Sequence, residues 1–311
     1  MRLSFNSFPD RLISTLGGLA NRQMRYRVQA ATGQRISAPE DDPAAMCRVL
    51  DLQGEGTRVG QYQRNIGRLQ EIASATHGVI RGLARISDRA GEIAIRANGG
   101  RSQQELDIMA KEVTQMIQQA VSTGNTTNRG DSLLGGTQTG RPAYAIQMGT
   151  EGQVLGVLFQ GNADAPSNEI AEGSTVVAHS VGANSSGSGA PGLLSDSRSG
   201  VDFFKHLIDL QNRLSAGDTT GIAATLRPAL QADGDNLLRH VSQNATLQSR
   251  LEVARVAAAE RLGGLDQQIS NESDADLAQT LVRLNETQLS YQAALQSSGK
   301  ILSMSLLDYL R

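Results

Sequence analysis

One thiol, four scattered histidines and two adjacent aspartates are the groups with which this sequence could do chemistry. Cys47 is the only cysteine, so an intrachain disulfide is excluded and no thiolate metal cluster can form. It could act as a nucleophile only with a histidine beside it. His77, His179, His206 and His240 stand far apart in the sequence, and none sits in a recognisable catalytic motif. Cys47 therefore reads as a plain buried or half-buried small residue. Asp41 and Asp42 are consecutive, and consecutive side chains diverge. They read as a helix cap and a solvated charge, not as an acid–base pair. The pattern G-x-G-x-x-G occurs at Gly187, Gly189 and Gly192. No strand pattern leads directly into it, Pro191 lies inside it, and helical periodicity resumes only near residue 200, so it does not read as a dinucleotide site. No catalytic residue, cofactor or metal ligand is expected, and the chain does not read as an enzyme.

Composition narrows the remaining classes. The 29 Lys and Arg nearly balance the 31 Asp and Glu, for a formal charge of −2, which argues against a nucleic-acid partner. Of 311 residues only 3% are aromatic and none is Trp, which suits thin layers of Ala, Leu, Ile and Val in an elongated molecule. No apolar run is long enough to span a bilayer, so membrane insertion is not expected. Pro9, Asp10 and Arg11 interrupt the first twenty residues, so a cleaved secretory signal is not expected either.

Helical periodicity accounts for most of the chain. Leu12, Leu16, Leu19, Gln23, Tyr26 and Ala30 alternate by fours and threes, predicting a helix over 9–31. The segment TGQRISAPEDDPAA (32–45) breaks it. Gly33 suits a left-handed C-cap, and Asp42 before Pro43 suits an N-cap followed by proline at the first helical position. Leu69, Ile72, Thr76, Val79, Leu83, Ile86, Ala90 and Ile93 predict a second helix. Over 61–97 alone it would span roughly 55 Å at 1.5 Å per residue. Ser102 and Glu105 form a capping box that starts a third. Residues 130–200 turn rich in Gly, Ser, Thr and Asn with short alternating runs, a small β region, and 182–192 reads as a flexible loop whose deletion over 183–191 should be tolerated.

Helices return at 201–218, at about 219–270 and at 274–307, with Asp274 and Asp276 in the first turn of the last. On that helix Leu277, Leu281, Leu284, Gln288, Tyr291, Leu295, Ser298 and Leu302 form a heptad seam. The order is palindromic: terminal helix, long helices, β insert, long helices, terminal helix. The expected fold is mainly α with a small β insert. It is an elongated rod of long antiparallel helices, with the N- and C-terminal helices paired as a coiled coil and a β-rich tip. The expected division is 1–40 with 275–311 as the terminal coiled-coil assembly domain, 41–130 with 201–274 as a helical rod, and 131–200 as the tip.

Three stretches carry a resemblance to a known family. TGQRISAPEDDPAA resembles the flagellin-superfamily segment S-G-K-R-I-N-x-P-S-D-D-P-A, matching at Arg35, Ile36, Pro39, Asp41, Asp42, Pro43 and Ala44, with Thr32 and Gln34 as departures. SLLGGTQTGRPAY (132–144) resembles the start of that superfamily's β domain, Y-L-F-G-G-T-x-T-x-x-P-F. Leu133, Gly135, Gly136, Thr137, Thr139 and Pro142 match, Leu134 stands for the usual Phe, and Tyr144 lies one residue beyond the usual aromatic. Residues 274–310 resemble the C-terminal helix, and their SLLDYL ending is similar to that of the hook-associated protein 3 family.

The resemblance implies a secreted structural subunit of the bacterial flagellum, at the hook–filament junction. It implies export in the unfolded state through the flagellar type III apparatus with an export chaperone. It also implies terminal segments that order only in the assembly. The implied partners are further copies of itself in a ring, a neighbouring hook-associated protein and flagellin. The residues implied at the subunit interface are Leu12, Leu16, Leu19, Leu281, Leu284, Tyr291, Leu295, Leu302, Leu306 and Tyr309. Arg35, Asp41, Asp42 and Pro43 form the implied assembly loop, with Asp41 facing a neighbouring subunit. Flagellin proper is the alternative, and a coiled-coil adaptor is the reading from a different class.

Overall fold

Residues 7–97 and 100–309 are described by a computed structural model, with side chains described over 11–97 and 100–300. Helix α1 (Ser7–Thr32) ends where expected, at Gly33 with φ +73°, a conformation that favours glycine. The 54-residue α2 (Pro43–Arg96) and α3 (Gln103–Gly124) follow. Ser102 and Glu105 close the predicted capping box at the start of α3. Nine short strands come next: β1 (Thr127–Asn128), β2 (Asp131–Ser132), β3 (Tyr144–Met148), β4 (Val154–Phe159), β5 (Ser167–Ala171), β6 (Ser174–Val177), β7 (Val181–Asn184), β8 (Gly192–Asp196) and β9 (Val201–Asp202). The chain ends with α4 (Phe203–Ala216), the three-residue α5 (Thr219–Gly221), a π turn (Ile222–Leu226), α6 (Arg227–Ser273) and α7 (Leu277–Tyr309). The fold is thus mainly α with a small β insert. A continuous helix from 219 is the expectation that fails, because the chain takes a wider π turn at 222–226 before α6 settles.

Two compact units divide the residues: one takes 1–58 and 260–311, the other 59–259. In the second, the α2 positions predicted to face inward are all buried, among them Leu69, Thr76, Leu83, Ala90 and Ile93. Against α3 and α4 lies a small aromatic cluster. The Tyr144 ring sits 5.4 Å from Phe159 and 5.0 Å from Phe204, and Phe203 stacks edge-on to Phe204 at 5.6 Å. Leu133 and Leu134 are both buried, so both leucines fill core space. The LLGGT run needs its glycines. A Cβ at Gly135 would lie 2.5 Å from the Gln138 carbonyl, and Gly136 has φ +70° under Asn162, whose Oδ1 accepts the Thr137 N–H. The strands form three antiparallel two-stranded pairs, β1–β2, β3–β4 and β5–β6, and a three-stranded sheet β7–β8–β9 in which β7 and β8 run parallel. The β5–β6 hairpin is tied to helices by Asn65 Nδ2 donating to the Glu169 carbonyl (2.9 Å) and Arg250 donating to the Thr175 carbonyl (3.3 Å).

The 182–192 loop is not spare chain. Asn184 is fully buried, and its Nδ2 donates to the carbonyls of Ser188 (2.6 Å) and Ala190 (2.7 Å) while its Oδ1 accepts from Ser186 and Gly187. Composition signalled flexibility; one buried amide ties the loop down instead. A strand, β7, does precede the glycine pattern, and strand β8, not a helix, follows it. Cys47 is exposed, correcting the expectation of burial. The inward positions of α2 there are Ala45 and Val49, and residue 47 lies between them, on the other side of the helix.

Candidate assembly surface

In the unit formed by 1–58 and 260–311, α1 packs along α7. On α1 the predicted seam, Leu12, Leu16, Leu19, Gln23, Tyr26 and Ala30, is half-buried, as are the neighbouring Ala20 and Gln29. On α7 the inward positions are Thr280, Leu284, Thr287, Tyr291, Ala294 and Ser298. The predicted seam is right at Leu284, Tyr291 and Ser298. It is one residue off at the alternate steps, where Thr280, Thr287 and Ala294 stand inward in place of Leu281, Gln288 and Leu295. The reason is physical. The apolar surface of α7 is wider than one seam, and small and hydroxyl side chains let α1 approach while Thr287 and Ser298 satisfy their hydroxyls on the carbonyls four residues back. Leu302, Leu306 and Tyr309 have their side chains outside the described residues.

The displaced leucines face outward. Leu277, Leu281, Val282, Leu289 and Leu295 are 49%, 51%, 57%, 66% and 46% exposed. On α1, Ile13, Met24 and Val28 are exposed as well. Residues 13, 24 and 28 lie at i, i+11 and i+15, so they share one side of α1. Isolated exposed leucines need no explanation; this many on two packed helices is an apolar surface that the described residues leave open.

The 33–45 turn is clamped to the α6–α7 junction of the same unit. Gln34 pairs with Asp274 in an antiparallel bridge, the Arg35 N–H donates to the Ser273 carbonyl (2.6 Å), and the Ala275 N–H donates to the Gly33 carbonyl (2.8 Å). The Arg35 guanidinium donates to the Glu272 carbonyl (2.6 Å) and to Asp42 Oδ2 (3.4 Å). Arg48 grips the Glu272 carboxylate with two bonds, 3.2 and 2.8 Å. Asp42 Oδ1 accepts the Ala45 N–H at 3.0 Å, so it caps α2 with Pro43 exposed at the first helical position. Asp41 is also engaged. Its Oδ2 accepts from the Ser37 and Ala38 N–H groups and the Ser37 hydroxyl, each at 3.1 Å, and its Oδ1 lies 3.2 Å from Arg25. The premise that one of the two aspartates is spare therefore fails: one caps the helix and the other shapes the turn before it. Helix α7 starts later than expected. Asp276 caps it through the Gln279 N–H (3.0 Å), whereas Asp274 belongs to the bridge with Gln34.

The carboxylates of Asp41, Asp42 and Glu272 are held below the usual range. The Ser37 backbone N–H is the main cause at Asp41, the Ala45 N–H at Asp42, and the Arg48 hydrogen bonds at Glu272. Sequence reasoning reached Arg35, Asp41, Asp42 and Pro43 but missed Glu272 and Arg48, which lie 224 residues apart and carry no local signal. Among the described residues no three His, Cys, Asp or Glu side chains are grouped to hold a metal, and no helix is long and apolar enough to cross a membrane.

Residues 13–139 match the family model described as the bacterial flagellin N-terminal helical region. The fold is that of flagellar hook-associated proteins. A structure described provisionally as a flagellar hook-associated protein from Vibrio parahaemolyticus is similar over 75% of this chain and 100% of its own, at 21% identity and a TM-score of 0.62. Hook-associated protein 3 from Legionella pneumophila is similar over 71% of this chain and 97% of its own, at 12% identity and a TM-score of 0.58. FlgL from Bacillus cereus is similar over 71% and 99%, at 15% identity and a TM-score of 0.52. No curated protein matches the chain.

Proposed function

We propose that this chain is a structural subunit of the bacterial flagellum at the hook–filament junction, without catalytic activity. The observation that most favours it is the outward apolar surface of α1 and α7, in a chain with a flagellin N-terminal helical region. A helix pair that had evolved to work alone would turn its leucines inward; here Leu281, Leu289 and Leu295 remain open to a partner. On this reading the partner is the same surface of neighbouring copies in a ring, with a second hook-associated protein on one side and flagellin on the other. Leu12, Leu16, Leu19, Leu284 and Tyr291 hold the two helices together, and Leu302, Leu306 and Tyr309 extend the same helix toward the assembly. Residues 1–40 with 275–311 act as the assembly domain, 41–130 with 201–274 as the helical stem and 131–200 as a β-rich tip. Such a subunit is secreted unfolded with an export chaperone and stays in the flagellum.

The flagellin reading is supported by the family model itself, whose description is flagellin's. Polymerisation separates the two. The purified chain, concentrated and seeded, is expected to form no long filaments by electron microscopy. Long helical filaments formed from this chain alone would make it flagellin proper.

A further inference from the structure

The second unit, formed by 59–259, buries a charged pair that the assembly reading does not use. His206 stands in the second turn of α4, and Asp233 stands on α6 with its side chain fully buried. His206 Nδ1 and Asp233 Oδ2 share a hydrogen bond of 2.7 Å. The Asp202 backbone N–H also acts on this carboxylate, but Oδ1 has no hydrogen bond of normal geometry among the described residues. A buried carboxylate so sparsely bonded is costly unless a proton or a cation stays with it. The charged groups acting on His206 are Asp233 from α6 and Asp202 and Asp209 from its own helix and cap. Those acting on Asp233 are His206 and Asp202. His206 is therefore the sole cation among them, facing three carboxylates.

We propose that His206 and Asp233 form a proton-dependent lock between α4 and α6, closed while the pair holds its proton and weakened when alkaline pH removes it. With the proton, the pair is neutral overall and the imidazole donates into a carboxylate that nothing else neutralises. Without it, a net negative charge is left buried beside Asp202. The hydrogen bond to Asp233 holds His206 above the ordinary imidazole range, and burial pushes Asp233 above the ordinary carboxylate range. Both shifts mean that the folded state keeps protons more tightly than the unfolded chain. The His206 contribution is fully present below about pH 6.5 and is lost as pH rises through its folded pKa. His179 and His240 are pushed the other way by burial, so their contributions are lost on acidification and cannot imitate this decline. The lock does not depend on the flagellar reading.

The test uses the full chain. The folding constant, from denaturant unfolding between pH 6 and pH 9, should fall by up to about tenfold per pH unit across the window between the ordinary and the folded imidazole pKa. The His206 ring signal, identified by its loss in His206→Asn, should titrate above pH 6.5. In Asp233→Asn that midpoint should drop to the ordinary range or below, and the alkaline decline should disappear. A wild-type His206 midpoint at or below the ordinary value overturns the lock, and this measurement stands even if Asp233→Asn fails to fold. An unchanged alkaline decline in a folded Asp233→Asn overturns it as well.

Discussion

Replacing Leu281 and Leu295 together by Asp separates assembly from folding. Both side chains are about half exposed in the subunit, at 51% and 46%. Fully burying a leucine is worth about 1.5–3 kcal/mol, so covering the remaining half of each contributes roughly 1 kcal/mol per residue to an interface. The double substitution removes about 2 kcal/mol of that contact. It also buries two unpaired carboxylates, each costing several kcal/mol more. The isolated subunit loses far less. Neither leucine faces α1, and substitutions at exposed helical positions cost about 0.5 kcal/mol each. Circular dichroism melting of the monomer should therefore shift by only a few degrees, while filament growth in a complemented deletion strain should stop. Leu284→Asp is the contrasting variant: it points into the α1–α7 seam and should damage the monomer as well. Normal filament numbers in the Leu281→Asp/Leu295→Asp strain would refute the reasoning and leave the open leucines as ordinary surface.

Asn184→Ala should destabilise the second unit by about 2 kcal/mol or more, because it strands two carbonyls and two N–H groups that the buried amide now satisfies; denaturant melting measures this, and deletion of 183–191 should be worse. Tyr144→Phe should leave stability unchanged or raise it by up to about 1 kcal/mol in the same measurement, since the buried phenol hydroxyl finds no hydrogen-bond partner among the described residues. Asp42→Ala should lower the melting temperature of the monomer slightly and Asp42→Ser should largely restore it, because a hydroxyl can still accept the Ala45 N–H. Acid should loosen the clamp around residues 33–45. Asp41, Asp42 and Glu272 have lowered pKa values, so their contribution is present above about pH 4–4.5 and is lost as pH falls through their folded values. Cleavage of this turn by an acid-active protease should rise steeply in that window.

Periodicity carried the fold well where one face of a helix has one partner. Leu69 through Ile93 step without a miss and are all buried, and Phe203, Leu207, Leu210 and Leu214 line α4 as their spacing implies. It failed by one residue on α7 because two adjacent apolar stripes compete there. Counting heptads cannot say which stripe meets the same chain and which is left open. Local chemistry was also legible: Gly33, Asp42–Pro43 and Ser102–Glu105 each act within a few residues of themselves. What could not be read is chemistry that folding brings together from afar. Glu272 meeting Arg48, His206 meeting Asp233, and Gln211 bonding both the N–H and the carbonyl of Val154 join residues 27 to 224 positions apart. The 182–192 loop misled for a related reason. Gly and Ser composition describes the freedom of the unfolded chain, while a single buried asparagine removes that freedom in the folded one.

On the proposed function, this chain joins hook to filament through its paired terminal helices. Negative-stain imaging of flagella from a strain lacking it shows whether it does. Hooks without filaments and flagellin released into the medium are expected, with filaments restored by the wild-type chain but not by Leu281→Asp/Leu295→Asp. Full-length filaments on the hooks of the deletion strain would contradict it.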